Sequence, residues 1–232
     1  MIDGVIFDKD GTLFDFRRTW AGWAARLVTE TGADRPGTAE RMAEAIGFDL
    51  AAHDFTPDSP VIAGTAGEIA ALLLPHLPGW GEARLLARMN ALAAEADLVE
   101  AVPLRPCLMR LRARGLRIGL CTNDAEAPAQ AHLAAAGITD LFDFVAGYDS
   151  GHGSKPAPGP LLAFAAATGL APGRVAMVGD SLHDLHAGRA AGMIPVAVLT
   201  GVAGHADLAP HADVVLPHIG ALEDWIAARA AA

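Results

Sequence analysis

The fold is decided by the stretch VIFDKDGTLFD, residues 5–15, close to the amino terminus. Three apolar residues, typical of a buried strand, lead into two carboxylates, Asp8 and Asp10, and a Gly-Thr turn. Side chains two apart on a strand project to the same face, so both carboxylates can point at one position beyond the carboxyl end of the strand. Ligands bind at that end of open parallel sheets. Because two crowded carboxylates repel each other, the pair indicates either a metal site or an acid/base pair.

The hydrophobic pattern changes at about residue 100. Residues 16–100 carry apolar residues at helical spacing, with Gly and Pro breaks and no convincing strand. After residue 101, short apolar runs alternate with helical segments, which is typical of a parallel sheet covered on both faces. We therefore expect an α/β fold, with a doubly wound, Rossmann-like parallel-sheet core formed by residues 1–15 and 101–232 and an inserted all-helical cap domain formed by residues 16–100. Helices are expected at 18–31, 38–46, 66–74 and 81–99, and strands at 117–121, 144–146, 175–178, 194–199 and 214–216.

Composition and charge argue against several classes of protein. With 17 basic and 27 acidic residues, the chain has a formal net charge of −10, which opposes binding to nucleic acid. No apolar run approaches the roughly 20 residues that a membrane span requires. The amino terminus shows no secretory signal, so we expect a cytoplasmic location and no membrane partner. Cys107 and Cys121, the only cysteines, lie apart in the sequence and are interpreted as buried small hydrophobes rather than as a disulfide or zinc motif.

Three further polar motifs follow later strands. Thr122 and Asn123 come after the 117–121 strand, where a hydroxyl and helix amides can hold an anion, although the same residues also fit an ordinary helix cap. Lys155, one of only two lysines, lies in a Gly/Pro-rich loop and can deliver a positive charge to phosphate oxygens or to a carboxylate. Asp180 and Asp184 lie four apart at the start of another helix, where acids also act as caps.

These strand ends are expected to meet at one edge of the sheet. That arrangement places four carboxylates beside one lysine and one hydroxyl, a combination that helix capping alone does not explain. Carboxylate oxygens without nearby His or Cys ligands suit Mg²⁺, which takes a few carboxylates together with waters and substrate oxygens. The carboxylates are those of Asp8, Asp10, Asp180 and Asp184.

In this order the motifs resemble those of the haloacid dehalogenase superfamily, whose pattern is Asp-x-Asp-Gly-Thr, then Ser/Thr at a strand end, then Lys, then Gly-Asp-x-x-x-Asp. The match extends over residues 5–199, and the insert is similar to the helical C1-type cap of the phosphoglycolate phosphatase-like subgroup. The resemblance implies a Mg²⁺-dependent phosphatase. Its substrate would be a small phosphate monoester, phosphoglycolate-like or a sugar phosphate, hydrolysed through an aspartyl-phosphate.

The resemblance also implies a role for each motif residue. Asp8 would be the nucleophile, and Asp10 would protonate the leaving alkoxide and later activate water. Thr122, Asn123 and Lys155 would bind the phosphate, and Thr122 and Lys155 would belong to the catalytic set. The implied ligands of Mg²⁺ are Asp8, Asp10 through its backbone carbonyl, and Asp180, with Asp184 supporting them from the second shell.

Lys9 departs from the family pattern, in which the residue between the two aspartates is often apolar. Strand alternation turns its side chain away from the phosphate. We therefore interpret Lys9 as a structural ion-pair partner or a cap contact, which leaves the implied mechanism intact.

Other functions share part of this pattern. A dehalogenase of the same superfamily needs neither an acid at Asp10 nor a metal. Phosphonate hydrolysis resembles a Schiff-base mechanism with a cap lysine, whereas residues 16–100 contain no lysine. A sugar-phosphate mutase has all four motifs and differs in transferring the phosphoryl group to a second hydroxyl, so it remains an alternative. A non-catalytic binding module is expected to lose a nucleophile or a metal ligand, and none is missing here.

The insert is expected to select the substrate, which is predicted to be a small phosphorylated metabolite. An arginine facing the cleft would favour a carboxylated ester such as phosphoglycolate, and a sugar phosphate is equally compatible. Solvated helix arginines are the commoner explanation for such residues. The sequence leaves the oligomeric state open. Candidates for contact with the substrate are Arg17, Arg18, Arg41, His53 and Thr65.

Overall fold

The computed structural model describes residues 1–56 and 58–231 of the chain. In chain order the strands are β1 (Gly4–Phe7), β2 (Phe48–Asp49), β3 (Asp54–Phe55), β4 (Arg117–Cys121), β5 (Phe144–Ala146), β6 (Val175–Gly179), β7 (Ile194–Val198) and β8 (Val214–Leu216). The α-helices are α1 (Phe16–Gly32), α2 (Thr38–Ala45), α3 (Ala66–Leu73), α4 (Glu82–Ala94), α5 (Leu104–Ala113), α6 (Glu126–Ala135), α7 (Gly159–Thr168), α8 (Leu182–Ala190), α9 (His205–Leu208) and α10 (Leu222–Ala231).

The centre of the fold is a six-stranded parallel sheet with the order β5-β4-β1-β6-β7-β8. In the sheet, β4 and β5 lie on one side of β1, and the later strands β6, β7 and β8 lie on the other side. The strand order therefore reverses around β1, and such a reversal opens a crevice at the carboxyl ends of the strands. The expected doubly wound α/β core is confirmed.

Both faces of the sheet are covered by apolar packing. Val5 and Phe7 of β1 belong to one hydrophobic cluster, which includes residues of α5, α6 and α10. Ile6 points to the opposite face and joins a second cluster with residues of α7 and α8. Burial on both faces explains why the strands read as continuous apolar runs rather than as alternating ones.

The inserted segment has a hydrophobic core of its own, whose fully or largely buried members all lie between residues 16 and 93. The two connections to the sheet domain run beside each other: the Asp15 amide donates to the Val99 carbonyl at 2.8 Å, and the Ala101 amide donates to the Leu13 carbonyl at 2.9 Å. We propose on this basis that residues 16–100 form a cap domain on a core made of residues 1–15 and 101–232.

Two details of the insert differ from the sequence expectation. Strands β2 and β3 form a two-stranded antiparallel sheet where only helices were expected, and two residues each are too few to show a periodic pattern. Helix α4 ends at Ala94 instead of residue 99. Glu95 and Asp97 follow its last turn, where negative charge is unfavourable at the carboxyl end of the helix dipole.

The two cysteines, Cys107 and Cys121, lie in the interior of the fold. Both cysteines are buried, as interpreted. Burial raises the pKa of the Cys121 thiol to about 12, so this cysteine is an apolar packing group.

In the part of the chain that the structure describes, none of the helices combines the length and the apolar character that crossing a bilayer requires.

Candidate active site

The predicted site residues come from strand ends that meet beside β1. Asp8 directly follows β1, Thr122 directly follows β4 and Asp180 directly follows β6. A cleft between the sheet edge and the insert is lined by all but one of the predicted residues. The exception is Asp180, which lies in the carboxylate cluster with Asp8 and Asp184. The predicted residues that line the cleft are Asp8, Asp10, Thr122, Asn123, Lys155 and Asp184.

Lys155 forms the electrostatic centre of this arrangement. Its ammonium lies 2.5 Å from Asp8 Oδ1 and 2.7 Å from Asp184 Oδ1, and only 4% of the residue is exposed. The Lys155 amide donates to Asn123 Oδ1, and the Asn123 side-chain amide donates to the Lys155 carbonyl, both at 2.9 Å. Burial alone would lower the pKa of Lys155, but the carboxylates of Asp184 and Asp8 raise it above its ordinary value. The lysine is therefore held in place and stays protonated.

Three buried carboxylates form a potential cation site. Asp8, Asp180 and Asp184 each present an oxygen within 4.8 Å of the others. Burial and the neighbouring acids raise the pKa of Asp8 to about 7, with Lys155 opposing the rise, and they raise the pKa of Asp180 well above its usual range. One lysine does not balance three carboxylates, and a bound cation would relieve that repulsion. A set of hard oxygen donors fits a divalent ion of the Mg²⁺ type.

The close approach of the backbone to Asp180 requires glycine at two positions. Gly11 has a φ of +79°, and a Cβ at this position would lie 2.2 Å from Asp180 Oδ2. A Cβ on Gly201 would lie 1.7 Å from the same oxygen. The Thr12 hydroxyl donates to Asp180 Oδ1 at 3.3 Å. Two glycines thus let the main chain approach a carboxylate that the turn residue Thr12 orients.

Asp10 and its neighbour Lys9 form a second buried ionic group. The Lys9 ammonium lies 2.7 Å from Asp10 Oδ2 and 3.4 Å from Asp124 Oδ2, and Lys9 has no exposed surface. The other carboxyl oxygen of Asp10, Oδ1, is buried and has no hydrogen-bond partner among the described residues. One oxygen of Asp10 is therefore held by Lys9, the other has no partner among the described residues, and Asp10 lines the cleft.

Lys9 also links the sheet domain to the insert. Burial, reinforced by the nearby Lys9 charge, lowers the pKa of His132 to about 4, so the ring is neutral. Its Nδ1 accepts from Lys9 at 3.0 Å, and its Nε2–H donates to the Ala93 carbonyl of α4 at 2.6 Å. The ammonium also lies 5.0 Å from the centre of the Trp20 ring of α1. These ion pairs and the contact with the insert agree with the interpretation of Lys9 as an ion-pair partner or a cap contact.

Replacing Lys9 with Leu is expected to lower the free energy of unfolding by about 3–5 kcal/mol, because Asp10 and Asp124 lose the buried charge that neutralises them. Urea denaturation followed by circular dichroism measures this loss. Adding Asp124→Asn to the variant removes one uncompensated charge and should recover part of it. For comparison, Arg26→Leu breaks an exposed ion pair with Glu30 and should cost under about 1 kcal/mol. A similarly small loss for Lys9→Leu would contradict this account.

The position of Thr122 is compatible with both roles that the sequence allowed, anion binding and helix capping. Its side chain is buried and lines the cleft, where a hydroxyl can donate to an anion. Its oxygen also accepts from the Asp124 amide at 3.1 Å, which is a local capping contact. Because a hydroxyl both donates and accepts, the capping contact leaves the hydroxyl proton free for a ligand.

None of the insert residues that the sequence analysis proposed for substrate contact lines the cleft. Arg17 is paired with Asp54, and Arg41 donates to Thr38. Thr65 forms the cap of α3, where its hydroxyl and amide both contact Glu68. The residues that do line the insert side are mostly apolar, and they include Phe16, Trp20, Trp23, Ile62 and Met89. The sequence contained one signal for these lining residues: Phe16, Trp20 and Trp23 are spaced to share one face of a helix.

Comparisons with known proteins cover most of the chain. A family model described as a haloacid dehalogenase-like hydrolase matches residues 2–192. The chain belongs to this family. A phosphoglycolate phosphatase of Rhodospirillum rubrum is 31% identical over 97% of this chain and 91% of its own length. A phosphoglycolate phosphatase of Yersinia pestis is 30% identical over 95% of this chain and 91% of its own length. The chain is thus an enzyme of the haloacid dehalogenase-like hydrolases, related to phosphoric monoester hydrolases.

Solved structures show the same fold at lower sequence identity. CbbY from Rhodobacter sphaeroides, in complex with phosphate, superimposes with a TM-score of 0.71 at 22% identity and covers 96% of each chain. A β-phosphoglucomutase from Clostridium difficile gives a TM-score of 0.68 at 18% identity, covering 97% of this chain and 96% of its own. At these identities the likeness concerns the fold. Both a phosphate-bound protein and a mutase share it, so the reaction must be argued from the site.

Proposed function

We propose that this haloacid dehalogenase-like hydrolase is a Mg²⁺-dependent phosphatase that hydrolyses a small phosphate monoester through an aspartyl-phosphate on Asp8. The observation that carries the proposal is the contact of Asp8 with Lys155, 2.5 Å apart, at the floor of the cleft and beside two further carboxylates. A carboxylate held in this way is oriented towards a ligand, and the adjacent ammonium favours its ionised, nucleophilic form.

Asp8 attacks the phosphorus atom, and the bond from phosphorus to the ester oxygen breaks. Burial works against ionisation of Asp8, whose pKa is raised to about 7, and the positive charge of Lys155 works in its favour. A cation bound to the same carboxylate lowers that pKa further. Lys155 also offsets the negative charge that accumulates on the phosphoryl oxygens in the transition state.

Asp10 serves first as the general acid and then as the general base. Asp10 lines the cleft, and its Oδ1 has no partner among the described residues, which supports a role in donating a proton to the departing alkoxide. In the second step Asp10 takes a proton from water as that water attacks the phosphorus of the aspartyl-phosphate. The bond between Asp8 and phosphorus then breaks, which releases phosphate and restores both carboxyl groups.

Thr122 and Asn123 hold the phosphoryl group together with Lys155. The Thr122 hydroxyl and the Asn123 backbone amide lie at the end of β4, on the edge of the sheet that carries Asp8. The Asn123 side chain has a separate role, because it is hydrogen-bonded to the Lys155 main chain and to the Ala63 carbonyl of the insert. It therefore positions Lys155 and ties the insert to the sheet edge.

The carboxylates of Asp8 and Asp180 and the backbone carbonyl of Asp10 are proposed to hold Mg²⁺. When bound, the ion supplies positive charge to a phosphoryl oxygen and aligns it with the nucleophile. Asp184 supports this group from behind: it accepts from Lys155 at 2.7 Å and from the Ser181 hydroxyl at 2.7 Å. The excess of buried negative charge over lysine charge supports the assignment of a divalent cation.

Removal of the metal is expected to abolish hydrolysis. The purified protein should release phosphate from p-nitrophenyl phosphate with Mg²⁺, lose that activity in EDTA and recover it when excess Mg²⁺ is restored. In a matched variant, Asp180→Asn, the Mg²⁺ concentration required for half-maximal rate should rise at least about tenfold, because one ligand charge is lost. Activity that persists in EDTA would contradict the metal assignment. Transfer of the phosphoryl group to a second hydroxyl with little free phosphate would instead identify a mutase.

A further inference from the structure

The insert presents an almost entirely apolar surface to the place where the leaving group of the ester must lie. Helix α1 contributes aromatic rings from three positions on one face, and Trp20 and Trp23 pack edge to face with ring centres 5.2 Å apart. The turn before α3, α3 itself and α4 add aliphatic side chains. This surface, called the apolar wall, consists of Phe16, Trp20, Trp23, Val61, Ile62, Ile69 and Met89.

The cleft offers no cation to a charged leaving group. Within residues 1–56 and 58–231, Lys155 is the only lysine or arginine that lines it. That lysine is already paired with Asp8 and Asp184 at the phosphoryl end. A carboxylate on the leaving group would instead face the acids Asp10 and Asp124. Burying such a charge without a partner is strongly unfavourable.

The cleft is also poor in hydrogen-bonding groups for a sugar. The Trp23 indole N–H is used by the Met89 carbonyl at 3.1 Å. Trp20 is 6% exposed, and its indole N–H has no acceptor among the described residues. The remaining polar lining consists of Asn90, His183 and Ser181, whose hydroxyl donates to Asp184. Several sugar hydroxyls buried here would lack partners, which disfavours a sugar as the leaving group.

We propose that the substrate is the monophosphate ester of an uncharged, predominantly apolar alcohol. This inference rests on the proposed phosphatase function and specifies its leaving group. The ester lies with its phosphoryl group between Asp8 and Lys155 and with its alcohol against the apolar wall. Flat aromatic side chains on α1 favour a ring or a branched chain at that position. The substrate therefore differs from the phosphoglycolate in the names of the related phosphatases.

A comparison of three esters of primary alcohols tests the proposal: benzyl phosphate, 2-phosphoglycolate and glucose 6-phosphate. Because each leaving oxygen is a primary alkoxide, differences report mainly on contacts of the leaving group. We expect kcat/KM for benzyl phosphate to exceed that of the other two esters by at least about 30-fold, equivalent to about 2 kcal/mol. Equal or faster hydrolysis of 2-phosphoglycolate or glucose 6-phosphate would overturn the proposal. Failure of benzyl phosphate while p-nitrophenyl phosphate is still hydrolysed would also overturn the proposal, whereas failure of all four esters would overturn the phosphatase function on which it rests.

A charge placed on the apolar wall provides a second test. Ile62→Arg supplies the missing cation, and Ile62→Met is the matched uncharged control. The ratio of kcat/KM for 2-phosphoglycolate to that for benzyl phosphate should rise at least about tenfold in the Arg variant relative to the Met variant. The change should appear mainly in KM, since the residue contacts the leaving group rather than the reacting atoms. An unchanged ratio in a folded Arg variant would show that the wall does not contact the leaving group.

Discussion

Replacing Asp8 with Asn is expected to reduce kcat for phosphate release by roughly 10⁵-fold, because the amide oxygen cannot form the aspartyl-phosphate. Asn has nearly the same shape as Asp, so the position of Lys155 and the cleft should be preserved. The measurement is steady-state release of phosphate from p-nitrophenyl phosphate at saturating Mg²⁺. A loss of less than about tenfold would contradict the assignment of Asp8 as nucleophile.

The stability of the same variant provides its control. Asp8, Asp180 and Asp184 repel one another in the metal-free protein, and removal of one charge relieves that repulsion. The metal-free Asp8→Asn protein should therefore unfold at a temperature equal to or above that of the unchanged protein. A much lower unfolding temperature would attribute the lost activity to misfolding instead of to the missing nucleophile.

Replacing Asp10 with Asn is expected to have an effect that depends on the leaving group. For benzyl phosphate, kcat should fall by about 10²–10⁴-fold, because the departing alkoxide no longer receives a proton. For p-nitrophenyl phosphate, the first step should be much less affected, since nitrophenolate leaves without protonation. The second step still needs a base, so the aspartyl-phosphate should accumulate and p-nitrophenol should appear as a burst equal to the enzyme concentration.

Rapid-mixing kinetics with both esters tests the role of Asp10. An equal loss of rate in the first step for both esters, without a burst, would show that Asp10 only supports the structure. The structure argues against this outcome, because Lys9 holds one carboxyl oxygen of Asp10 and leaves Oδ1 without a protein partner. A purely structural acid would be expected to have both oxygens satisfied.

The sheet was predictable because its strands are marked in the sequence by short apolar runs with clear ends. The expected bounds of 117–121, 144–146 and 214–216 coincide with β4, β5 and β8. Burial on both faces makes such runs distinctive. The β2–β3 pair was missed because Phe48–Asp49 and Asp54–Phe55 are too short to carry a pattern, and their pairing depends on the surrounding turn.

The group of polar residues at the carboxyl ends of the strands was predictable for a different reason. Most of its polar residues lie within three positions of a strand end or in a Gly-rich loop, and Asp184 lies in the first turn of the helix that follows β6, so the topology brings them together. The apolar wall was not predictable, because it combines side chains from α1, the turn before α3, α3 and α4. In the sequence, Trp20 or Met89 looks like any other core residue of an amphipathic helix.

The direction of the Lys9 side chain could be predicted from the sequence, but its partners could not. Lys9 does not line the cleft, which agrees with the direction that strand alternation indicated for its side chain. Its partners were not visible, because Asp124 and His132 lie more than a hundred residues away in the sequence and reach Lys9 only through the fold. The same lysine holds Asp10, the proposed catalytic acid, and contacts the insert.

Trapping the phosphorylated protein tests the central claim most directly. The Asp10→Asn variant is mixed with p-nitrophenyl phosphate and Mg²⁺, quenched in acid and digested, and the peptides are analysed by mass spectrometry. The account predicts one phosphoryl group per chain, on the peptide that contains Asp8, labile to hydroxylamine as an acyl phosphate is. A phosphoryl group on any other residue, or its absence while p-nitrophenol is released in a burst, would contradict the aspartyl-phosphate mechanism.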